Sequence, residues 1–340
     1  MARPISQSKP VAPIAIVGGE SLLGKDIREV METKSLQAQV KLITTSTDAA
    51  ILTEESGEPT VMSALLKGEL AGARVVVLAG NPESSRKAYE MMEGLKPKPI
   101  IVDATGVLDD SPLARLRAPQ VEPMPAEQSP LQVVAHPAAI ALAMFLNRLG
   151  RLGPVRRCVA HVFEPASERG QPGLDELQQQ TVGLLSFQKL KKDVFDTQVS
   201  FGMVPQYGDD APRTLADIEL TIDRHLASLL SKAGTGIPMP SIRLIQAPVF
   251  HGYSFSVWVE FENNPGATAV AKALAADKVE VRTEGQEPAT NLGAVGQSGI
   301  TVGSIAVDRN DPHACWFWVV ADNLRIAAEN AVEVAREFLA

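Results

Sequence analysis

The sequence predicts an α/β protein with two domains: a Rossmann-type, doubly wound N-terminal domain and an α+β domain with a mixed sheet. The chain has 340 residues, which suits two domains at roughly 150 residues each. In its first half, short apolar runs alternate with helical patterns, as is typical of a parallel sheet with right-handed crossovers. In its second half the apolar runs are longer, and the alternation is lost. That change indicates a second domain of a different class.

The composition is that of a folded protein and excludes several other classes. Hydrophobic residues make up 45% of the chain and charged residues 21%, with a formal net charge of −8. No Lys/Arg-rich run offsets that charge, so we expect no nucleic-acid partner. No segment reaches the ~18 apolar residues of a membrane span, and the N-terminus lacks the apolar core of a secretion signal. We therefore expect a cytoplasmic protein with no membrane contact.

The first domain is predicted to begin with a strand, a glycine turn and a helix. Pro13–Val17 is a short apolar run, followed by the turn and then by a helical pattern over Lys25–Glu32. Further strands are predicted at 40–44, 74–79, 99–103 and 131–135, with a helix at 84–95. The proline-rich segment 119–130 is predicted to be a loop within this domain.

The second domain is predicted to start after a hinge near residues 135–137. Its strands are predicted at 155–163, 241–249, 253–261 and 315–320, and its helices at 173–190, 215–233 and 267–275. A final helix at 323–339 carries a regular Ala/Val stripe, which we expect to pack back on the first domain. The predicted division is therefore 1–135, with 323–340 packed on it, and 136–322.

The glycine turn is the first candidate binding site. It reads Gly18-Gly19-Glu20-Ser21-Leu22-Leu23-Gly24, and such turns let backbone N–H groups approach a pyrophosphate at a helix N-terminus. We predict cofactor contacts at Gly18, Ser21, Leu22, Leu23 and Gly24. A serine in the middle of the turn is less permissive than a glycine, so a tight turn without a ligand is the alternative.

The sequence leaves the choice between NADP and NAD open. After the second predicted strand the chain reads Thr44-Thr45-Ser46-Thr47-Asp48. No acid stands at the strand end to hold a ribose 2′-hydroxyl unless Asp48 reaches back, and no arginine is present for a 2′-phosphate.

Five further segments match the motifs of one enzyme family. Gly170–Thr181 is similar to the segment after that family's Ser-Gly-Ala-Gly turn, and Ser200–Gln206 to its Ala-Phe-Asn-x-x-Pro-Gln. Pro248–Phe250 stands where the family has Pro-Val-Phe. Asp322–Arg325, followed by Ala327–Ala331, is similar to its C-terminal Asp-Asn-Leu-Arg-Lys-Gly-Ala-Ala-x-Asn-Ala. With these motifs the chain resembles the aspartate-semialdehyde dehydrogenase family, and most of all its cysteine-lacking Usg-type paralogues.

The resemblance implies a reaction whose essential groups this chain has lost. Members of the family attack the aldehyde with a cysteine thiolate, pass hydride to NADP and release the acyl group to phosphate. Their nucleophile motif, Asn-Pro-Asn-Cys-Ser/Thr, matches His136–Ile140 and puts Ala139 at the nucleophile position. Their base motif puts Tyr253 at the position of the histidine, with His251 two residues earlier as a candidate substitute. On one strand, His251 and Tyr253 would share a face, unless Gly252 bends the chain between them.

The residues that would anchor anionic substrates have changed in one direction. By the resemblance, Gln246 stands for the arginine that binds the substrate carboxylate, and Glu164 for a glutamine of the substrate pocket. Asp109 and Glu219 match an arginine and a lysine. Each change removes positive charge or adds negative charge, so we expect a pocket that repels a carboxylate and a phosphate. The resemblance also implies that Asn323 contacts the cofactor.

Other reactive side chains are predicted to be structural. Cys158 and Cys315 lie in apolar runs and are predicted to be inert buried thiols. His136 is predicted to cap or pack a helix, and Asp175 with Glu176 to form a solvated first helical turn. The histidines lack metal-ligand spacing, so no metal site is predicted.

Two functional hypotheses follow. The first is a catalytically inactive homologue that keeps the fold, binds NADP or NAD, and forms a homodimer through the second domain or pairs with an active paralogue. The second is an NAD(P)-dependent oxidoreductase that reduces an aldehyde or oxo group without a covalent intermediate. In that scheme Tyr253 or His251 donates the proton.

Overall fold

The structure is a computed structural model, and it describes residues 13–36, 38–55, 58–122 and 129–339. The N-terminal residues 1–12 and residues 123–128 of the predicted proline-rich loop lie outside the described residues. The chain forms two compact units. Unit 1 takes in the chain up to Arg115, residues 129–133 and the chain from Ala331, and unit 2 takes in the rest.

Unit 1 is built on a six-stranded sheet with the strand order β2-β1-β5-β6-β8-β7. Its elements are β1 (Pro13–Val17), α1 (Leu22–Thr33), β2 (Gln39–Ile43), β3 (Ile51–Glu55), β4 (Glu58–Met62), α2 (Lys67–Leu70), β5 (Val75–Leu78), α3 (Pro82–Met91), β6 (Ile100–Asp103), β7 (Ala114–Arg117) and β8 (Leu131–Val134). The pairs β1–β2, β1–β5, β5–β6 and β6–β8 are parallel, which confirms the predicted Rossmann-type sheet. Strands β5 and β8 are buried along their whole length, as continuous apolar runs in a two-sided parallel sheet should be.

The order of the strands in unit 1 creates a crevice beside the glycine turn. The chain passes from β1 to β2 on one side and returns to β5 on the other side of β1. The strand order therefore reverses at β1, and ligands of doubly wound folds bind outside the carboxyl ends of the strands at such a point. Gly18 directly follows β1 and so lies at this edge.

Unit 2 contains a second six-stranded sheet, in the order β10-β9-β11-β14-β13-β12. The remaining elements are α4 (Pro137–Leu149), β9 (Val155–Glu164), a 3₁₀ turn (Ala166–Arg169), α5 (Gly170–Leu185), α6 (Leu215–Ala233), β10 (Ser241–Gln246), β11 (Tyr253–Phe261), α7 (Ala267–Leu274), β12 (Val279–Val281), α8 (Asn291–Ala294), β13 (Ile300–Val307), β14 (Ala314–Ala321) and α9 (Asn323–Glu337). The pairs β9–β10 and β12–β13 are parallel, whereas β9–β11, β11–β14 and β13–β14 are antiparallel. The predicted mixed sheet is confirmed.

Helix α4 covers one face of the second sheet. All its residues from Ala138 to Leu146 are buried, and the ring of Phe145 packs edge-on against Phe317 of β14 at 5.0 Å. This packing holds the first turn of α4, where Ala139 lies, inside the core of unit 2.

The final helix, α9, spans the boundary that divides the two units. Its residues from Ala331 onward belong to unit 1, where Lys34 forms an ion pair with Glu333. Arg74 also donates a hydrogen bond to the carbonyl oxygen of Phe338.

Several elements differ from the sequence prediction. The hairpin β3–β4 was not predicted, because its two strands carry glutamates and a proline in place of an apolar alternation. Strand β13 was also not predicted, since Gly303 and the register shift between Gly303 and Ala306 interrupt its pattern. Helix α1 begins at Leu22, before the predicted Lys25, because Ser21 caps it. Strand β10 ends at Gln246, three residues before its predicted end.

Candidate functional site

The nucleophile position lies at the start of α4 and holds no reactive group. Ala139 is in the first turn of the helix and is fully buried. His136 caps this helix, because its Nδ1 accepts the N–H of Ala138 at 3.3 Å. The main-chain N–H of His136 donates in turn to Nδ1 of His225 at 2.9 Å. Burial and the nearby His225 and Arg169 hold the pKa of His136 well below its usual range, so the imidazole is neutral. The capping role predicted for His136 is confirmed.

Tyr253 and His251 do not share a strand face, because Gly252 bends the chain between them, the alternative that the sequence left open. Strand β11 begins at Tyr253, and Gly252 before it has a φ of +81°, so the backbone turns between the two residues. The carbonyl oxygen of His251 accepts a hydrogen bond from Nδ2 of Asn291 at 2.9 Å. His251 therefore belongs to a loop and not to the strand.

The side chain of Tyr253 is fully buried. Its hydroxyl has no hydrogen-bond partner among the residues that the structure describes. The ring lies 6.4 Å from the His136 ring and 5.5 Å from the Phe255 ring, measured between centroids. Burial, together with the charges of Glu168 and Glu164, raises the pKa of Tyr253 well above its usual value. The phenol of Tyr253 is therefore a weaker acid than an exposed tyrosine.

Glu164 and Gln246 lie side by side in the interior of unit 2. They end the parallel strands β9 and β10 in register with each other, and both side chains are fully buried. The Tyr207 hydroxyl donates to Oε1 of Gln246 at 2.6 Å and lies 3.4 Å from Oε1 of Glu164. Nε2 of Gln246 donates to the carbonyl oxygens of Glu164 and Ala247, each at 2.9 Å. Both ends of the amide are therefore occupied by the protein.

Arg169 neutralises Glu164, which the sequence analysis did not anticipate. Its Nη2 lies 2.8 Å from Oε1 of Glu164, and the two side chains are 13% and 0% exposed. Arg169 and Glu168 close the 3₁₀ turn after β9. Arg169 therefore compensates the negative charge of Glu164, while the expectation that the pocket repels a carboxylate and a phosphate stays a prediction.

Glu168 is a second carboxyl of this cluster, and it lies close to His136. Its Oε2 lies 3.8 Å from Nε2 of His136, and its side chain is 11% exposed. Burial and the like charge of Glu164 raise its pKa to about 7. The carboxyl therefore changes its protonation state near neutral pH.

Asn323, predicted as a cofactor contact, makes hydrogen bonds within unit 2. Its Oδ1 accepts from the Ser167 hydroxyl at 3.1 Å and from the N–H of Gly252 at 3.4 Å. Its Nδ2 is buried, and the interaction of Asn323 with Glu168 lowers the pKa of that carboxyl. The structure therefore brings Asn323 beside the turn after β9 and the loop before β11.

The cysteines behave as predicted, and one of the two acidic residues of α5 does not. Cys158 and Cys315 are buried, and burial raises the pKa of Cys158 to about 12. Glu176 was expected in a solvated first turn, but α5 begins earlier, at Gly170, and Glu176 is fully buried. Its carboxylate accepts the N–H groups of Val194 at 2.6 Å and Phe195 at 3.2 Å. Glu176 thus anchors a loop of unit 2.

In the glycine turn of unit 1, both outer glycines are required by packing. A Cβ on Gly18 would lie 2.3 Å from Cα of Gly80, and a Cβ on Gly24 would lie 2.1 Å from the oxygen of Gly18. The Ser21 hydroxyl accepts the N–H of Gly24 at 2.8 Å and donates to the carbonyl of Ala79 at 2.6 Å. These contacts explain the pattern Gly-x-x-Ser-x-x-Gly without a ligand.

The same turn still presents groups that could hold a dinucleotide. Leu22 and Leu23 are the first two residues of α1, so their N–H groups have no carbonyl to bind within the helix. They lie at the positive end of the helix dipole, which favours an anion. The backbone at the predicted positions Leu22 and Leu23 therefore suits a pyrophosphate.

Glu20 is a residue of this site that the sequence analysis missed. Its Oε1 accepts three hydrogen bonds: from the Thr44 hydroxyl at 2.9 Å, and from the N–H and hydroxyl of Thr45, both at 2.7 Å. Burial raises the pKa of Glu20, but these hydrogen bonds more than offset it and leave the pKa below its usual value. Only residues after β2 were considered as the acid of the site. The pair Thr44-Thr45 at the end of that strand, opposite an acid in the turn, would have indicated the contact.

The described residues contain neither a cluster that could hold a metal ion nor a helix that could span a membrane. No group of three or more His, Cys, Asp and Glu side chains there could hold a metal ion. No helix in the same residues is long and apolar enough to span a bilayer.

Comparisons with known proteins agree on one family. The semialdehyde dehydrogenase dimerisation domain matches residues 146–326, more than half of the chain. An aspartate-semialdehyde dehydrogenase of Synechocystis sp. is 24% identical over 331 residues, covering 95% of this chain and 96% of that protein. A USG-1 protein homolog of Azotobacter vinelandii is 28% identical over 333 residues, covering 96% and 97%. Another, of Pseudomonas aeruginosa, is 35% identical over 168 residues, 49% of each chain.

Solved structures share the fold at low sequence identity. A probable aspartate-semialdehyde dehydrogenase from Pseudomonas aeruginosa has a TM-score of 0.82 at 24% identity, covering 96% of this chain and 98% of that one. Aspartate semialdehyde dehydrogenase II from Vibrio cholerae, complexed with ASA, has a TM-score of 0.81 at 21% identity and covers 97% and 98%. The Candida albicans enzyme, solved with NADP, has a TM-score of 0.64 at 14% identity and covers 97% and 98%.

Proposed function

This chain belongs to the semialdehyde dehydrogenase family, and from that premise we propose that it is a catalytically inactive homologue of aspartate-semialdehyde dehydrogenase. In this proposal it keeps a nicotinamide dinucleotide site in unit 1. It also forms a homodimer, or pairs with an active paralogue, through the sheet of unit 2.

One observation carries the proposed loss of activity. Glu164 and Gln246, the positions that the resemblance assigns to the substrate pocket, are buried and bound within a network that includes Arg169 and Tyr207. Arg169 is paired with Glu164, and the amide of Gln246 is hydrogen-bonded to Tyr207 and to the backbone. A substrate carboxylate would have to break these bonds inside a low-dielectric interior, where unpaired charges cost several kcal/mol.

The chemistry of the remaining groups supports the same proposal. Ala139 offers only a methyl group at the nucleophile position, and both cysteines are buried thiols of raised pKa. Without a thiolate, no thiohemiacetal can form and no acyl group can pass to phosphate.

The non-covalent oxidoreductase has less support. It needs Tyr253 or His251 as a proton donor, yet the pKa of Tyr253 is raised well above its usual value by burial and by Glu168 and Glu164. A general acid works best when its pKa lies near the working pH. His251 lies in a loop and is held there through its backbone carbonyl.

The sheet of unit 2 has a face suited to a second copy. Its three tryptophans, Trp258, Trp316 and Trp318, lie on one face, because Trp258 pairs with Trp316 across β11 and β14 and Trp318 follows two residues later. None of them is buried, and Trp316 is 39% exposed. A partly exposed aromatic sheet face within a matched dimerisation domain supports a dimer through this surface.

An activity assay tests the proposed inactivity. The purified protein is mixed with aspartate semialdehyde, NADP and phosphate, and NADPH is followed with the Synechocystis homologue as the positive control. We expect no turnover above the uncatalysed rate, because Ala139 cannot form the covalent intermediate. Phosphate-dependent NADPH formation by this chain would refute the proposal.

A further inference from the structure

The carboxylate of Glu20 is held by hydrogen bonds from Thr44 and Thr45. Three donors converge on one carboxylate oxygen, Oε1, and all three come from Thr44 and Thr45. These residues directly follow β2, so the carboxylate is fixed at the carboxyl end of that strand although it comes from the turn after β1. In dinucleotide-binding folds, an acid at the end of this second strand receives the 2′-hydroxyl of the adenosine ribose.

The second carboxylate oxygen lacks a donor. Oε2 of Glu20 is buried and has no hydrogen-bond partner within the described residues. A desolvated carboxylate oxygen without a donor is costly, and native structures rarely leave one. A hydroxyl group supplies the donor that is missing, whereas a phosphate dianion offers only acceptors.

The surroundings of Glu20 provide no compensating cation. In the part of the chain that the structure describes, no lysine or arginine forms an ion pair with Glu20. Lys41 of β2 is paired with Glu69 at 2.8 Å. A second negative charge beside Glu20 would therefore be repelled without a counter-charge of the kind that an arginine supplies for a 2′-phosphate.

We propose that Glu20 makes the dinucleotide site of unit 1 selective for NAD over NADP. Its free oxygen accepts the ribose 2′-hydroxyl of NAD, and its charge excludes the 2′-phosphate of NADP. This selectivity rests on the proposed retention of a dinucleotide site.

Calorimetric titration of the full-length protein with NAD and with NADP tests the proposal. We expect the Kd for NAD to be at least about tenfold lower than the Kd for NADP, a difference of about 1.4 kcal/mol. Glu20→Gln removes the charge and keeps the shape of the side chain. This variant is expected to bind NADP more tightly and NAD more weakly. The Kd for NADP divided by the Kd for NAD should fall at least about tenfold.

A matched control removes a like charge from the helix that follows Glu20, α1. Glu32 is exposed in the last turn of α1, about 15 Å along the axis from Leu22 at 1.5 Å per residue. Glu32→Gln should leave both dissociation constants unchanged. If Glu20→Gln does not fold, Thr45→Val, which removes one of the three donors, should also reduce the NAD/NADP ratio.

The contrary outcomes separate the two proposals. Equal affinities, or tighter binding of NADP, overturn the selectivity and leave the dinucleotide site intact. If neither nucleotide binds the wild type, both proposals fall. If only Glu20→Gln then binds, Glu20 blocks the site in this chain, which also overturns the selectivity.

Discussion

The Glu164–Arg169 pair shows how single side chains redefine the interior of unit 2. A buried ion pair as a whole adds little to the stability of a protein. Removing one partner, however, leaves a desolvated charge and typically lowers the free energy of unfolding by 3–5 kcal/mol. Glu164 has a second contact, since its Oε1 also lies 3.4 Å from the Tyr207 hydroxyl. The cluster is therefore sensitive to the loss of either charge.

Truncation of Arg169 tests the compensation of charge. We expect Arg169→Ala to lower the free energy of unfolding by about 3 kcal/mol, because Glu164 would remain buried without a counter-charge. The double change Arg169→Met with Glu164→Gln should cost less than the single change, since it removes both charges. Urea unfolding followed by circular dichroism measures both. A double variant as unstable as Arg169→Ala would argue against charge compensation.

Glu168 predicts a specific pH dependence of stability. Its pKa is raised from 4.5 to about 7 in the folded protein, by burial and by Glu164. The folded state then binds more protons than the unfolded state between these values, so the contribution of Glu168 to stability falls as pH rises through this window. Glu168→Gln removes this dependence.

Comparison of Glu168→Gln with wild type separates the contribution of Glu168 to stability from the contributions of other titrating groups. Relative to wild type, Glu168→Gln should gain on the order of 2 kcal/mol in free energy of unfolding between pH 5 and pH 8. Glu32→Gln on exposed α1 serves as the control and should show no such gain. A constant difference between Glu168→Gln and wild type across this range would contradict the raised pKa.

At the scale of elements, the turn between β1 and α1 is fixed by backbone approach and by one cap. Gly24 faces the oxygen of Gly18, and Ser21 links the start of α1 to the end of β5 through Ala79. The turn is therefore closely packed against the end of β5, and this packing does not require a ligand. This explains why its glycine spacing alone is weak support for a ligand.

Two substitutions separate the contribution of the Ser21 cap from that of the close backbone approach at Gly24. Ser21→Ala removes the cap of α1 and should cost about 1 kcal/mol of stability. Gly24→Ala places a Cβ 2.1 Å from the Gly18 oxygen and should cost more, about 2 kcal/mol or above. Gly68→Ala in α2 is the control, because a Cβ there meets nothing within 4 Å. The shift in Tm measures all three; a Gly24→Ala protein as stable as wild type would disprove the close approach.

At the scale of the whole molecule, the aromatic face of the second sheet determines assembly in our proposal. Trp258 and Trp316 both donate their indole N–H to Oδ2 of Asp308, at 3.0 and 2.7 Å. This shared acceptor holds the two rings on the surface of the sheet. A preorganised aromatic patch lowers the cost of ordering side chains on association.

A charged residue in this face should separate the subunits. The protomer has a mass of 36.3 kDa, so light scattering should find a wild-type species of twice that mass. Trp318→Arg should shift the protein to the mass of one protomer, because a buried unpaired charge opposes association. Leu220→Arg, at an exposed apolar position of α6, should leave the mass unchanged. A monomeric wild type, or a dimeric Trp318→Arg, would oppose the proposed interface.

The alternation of apolar runs and helical patterns was enough to predict both sheets, and several elements closely. Helix α6 and strand β11 begin and end where predicted, because the periodicity and the capping residues that define them are local. The resemblance that the motifs indicated is confirmed by the family match. The assignments of Ala139, Tyr253, Gln246 and the cofactor contacts remain predictions.

The contacts that give the candidate sites their character join residues distant in the chain. Glu20 meets Thr45 25 positions later, and Glu164 lies within reach of Tyr207 43 positions later. Arg169 is close to Glu164 in sequence, yet a reversal of the chain in the 3₁₀ turn is needed to aim it back at that carboxylate. Local periodicity encodes which segments form strands and helices. Strand order and register decide which side chains meet, and those depend on the packing of the whole unit.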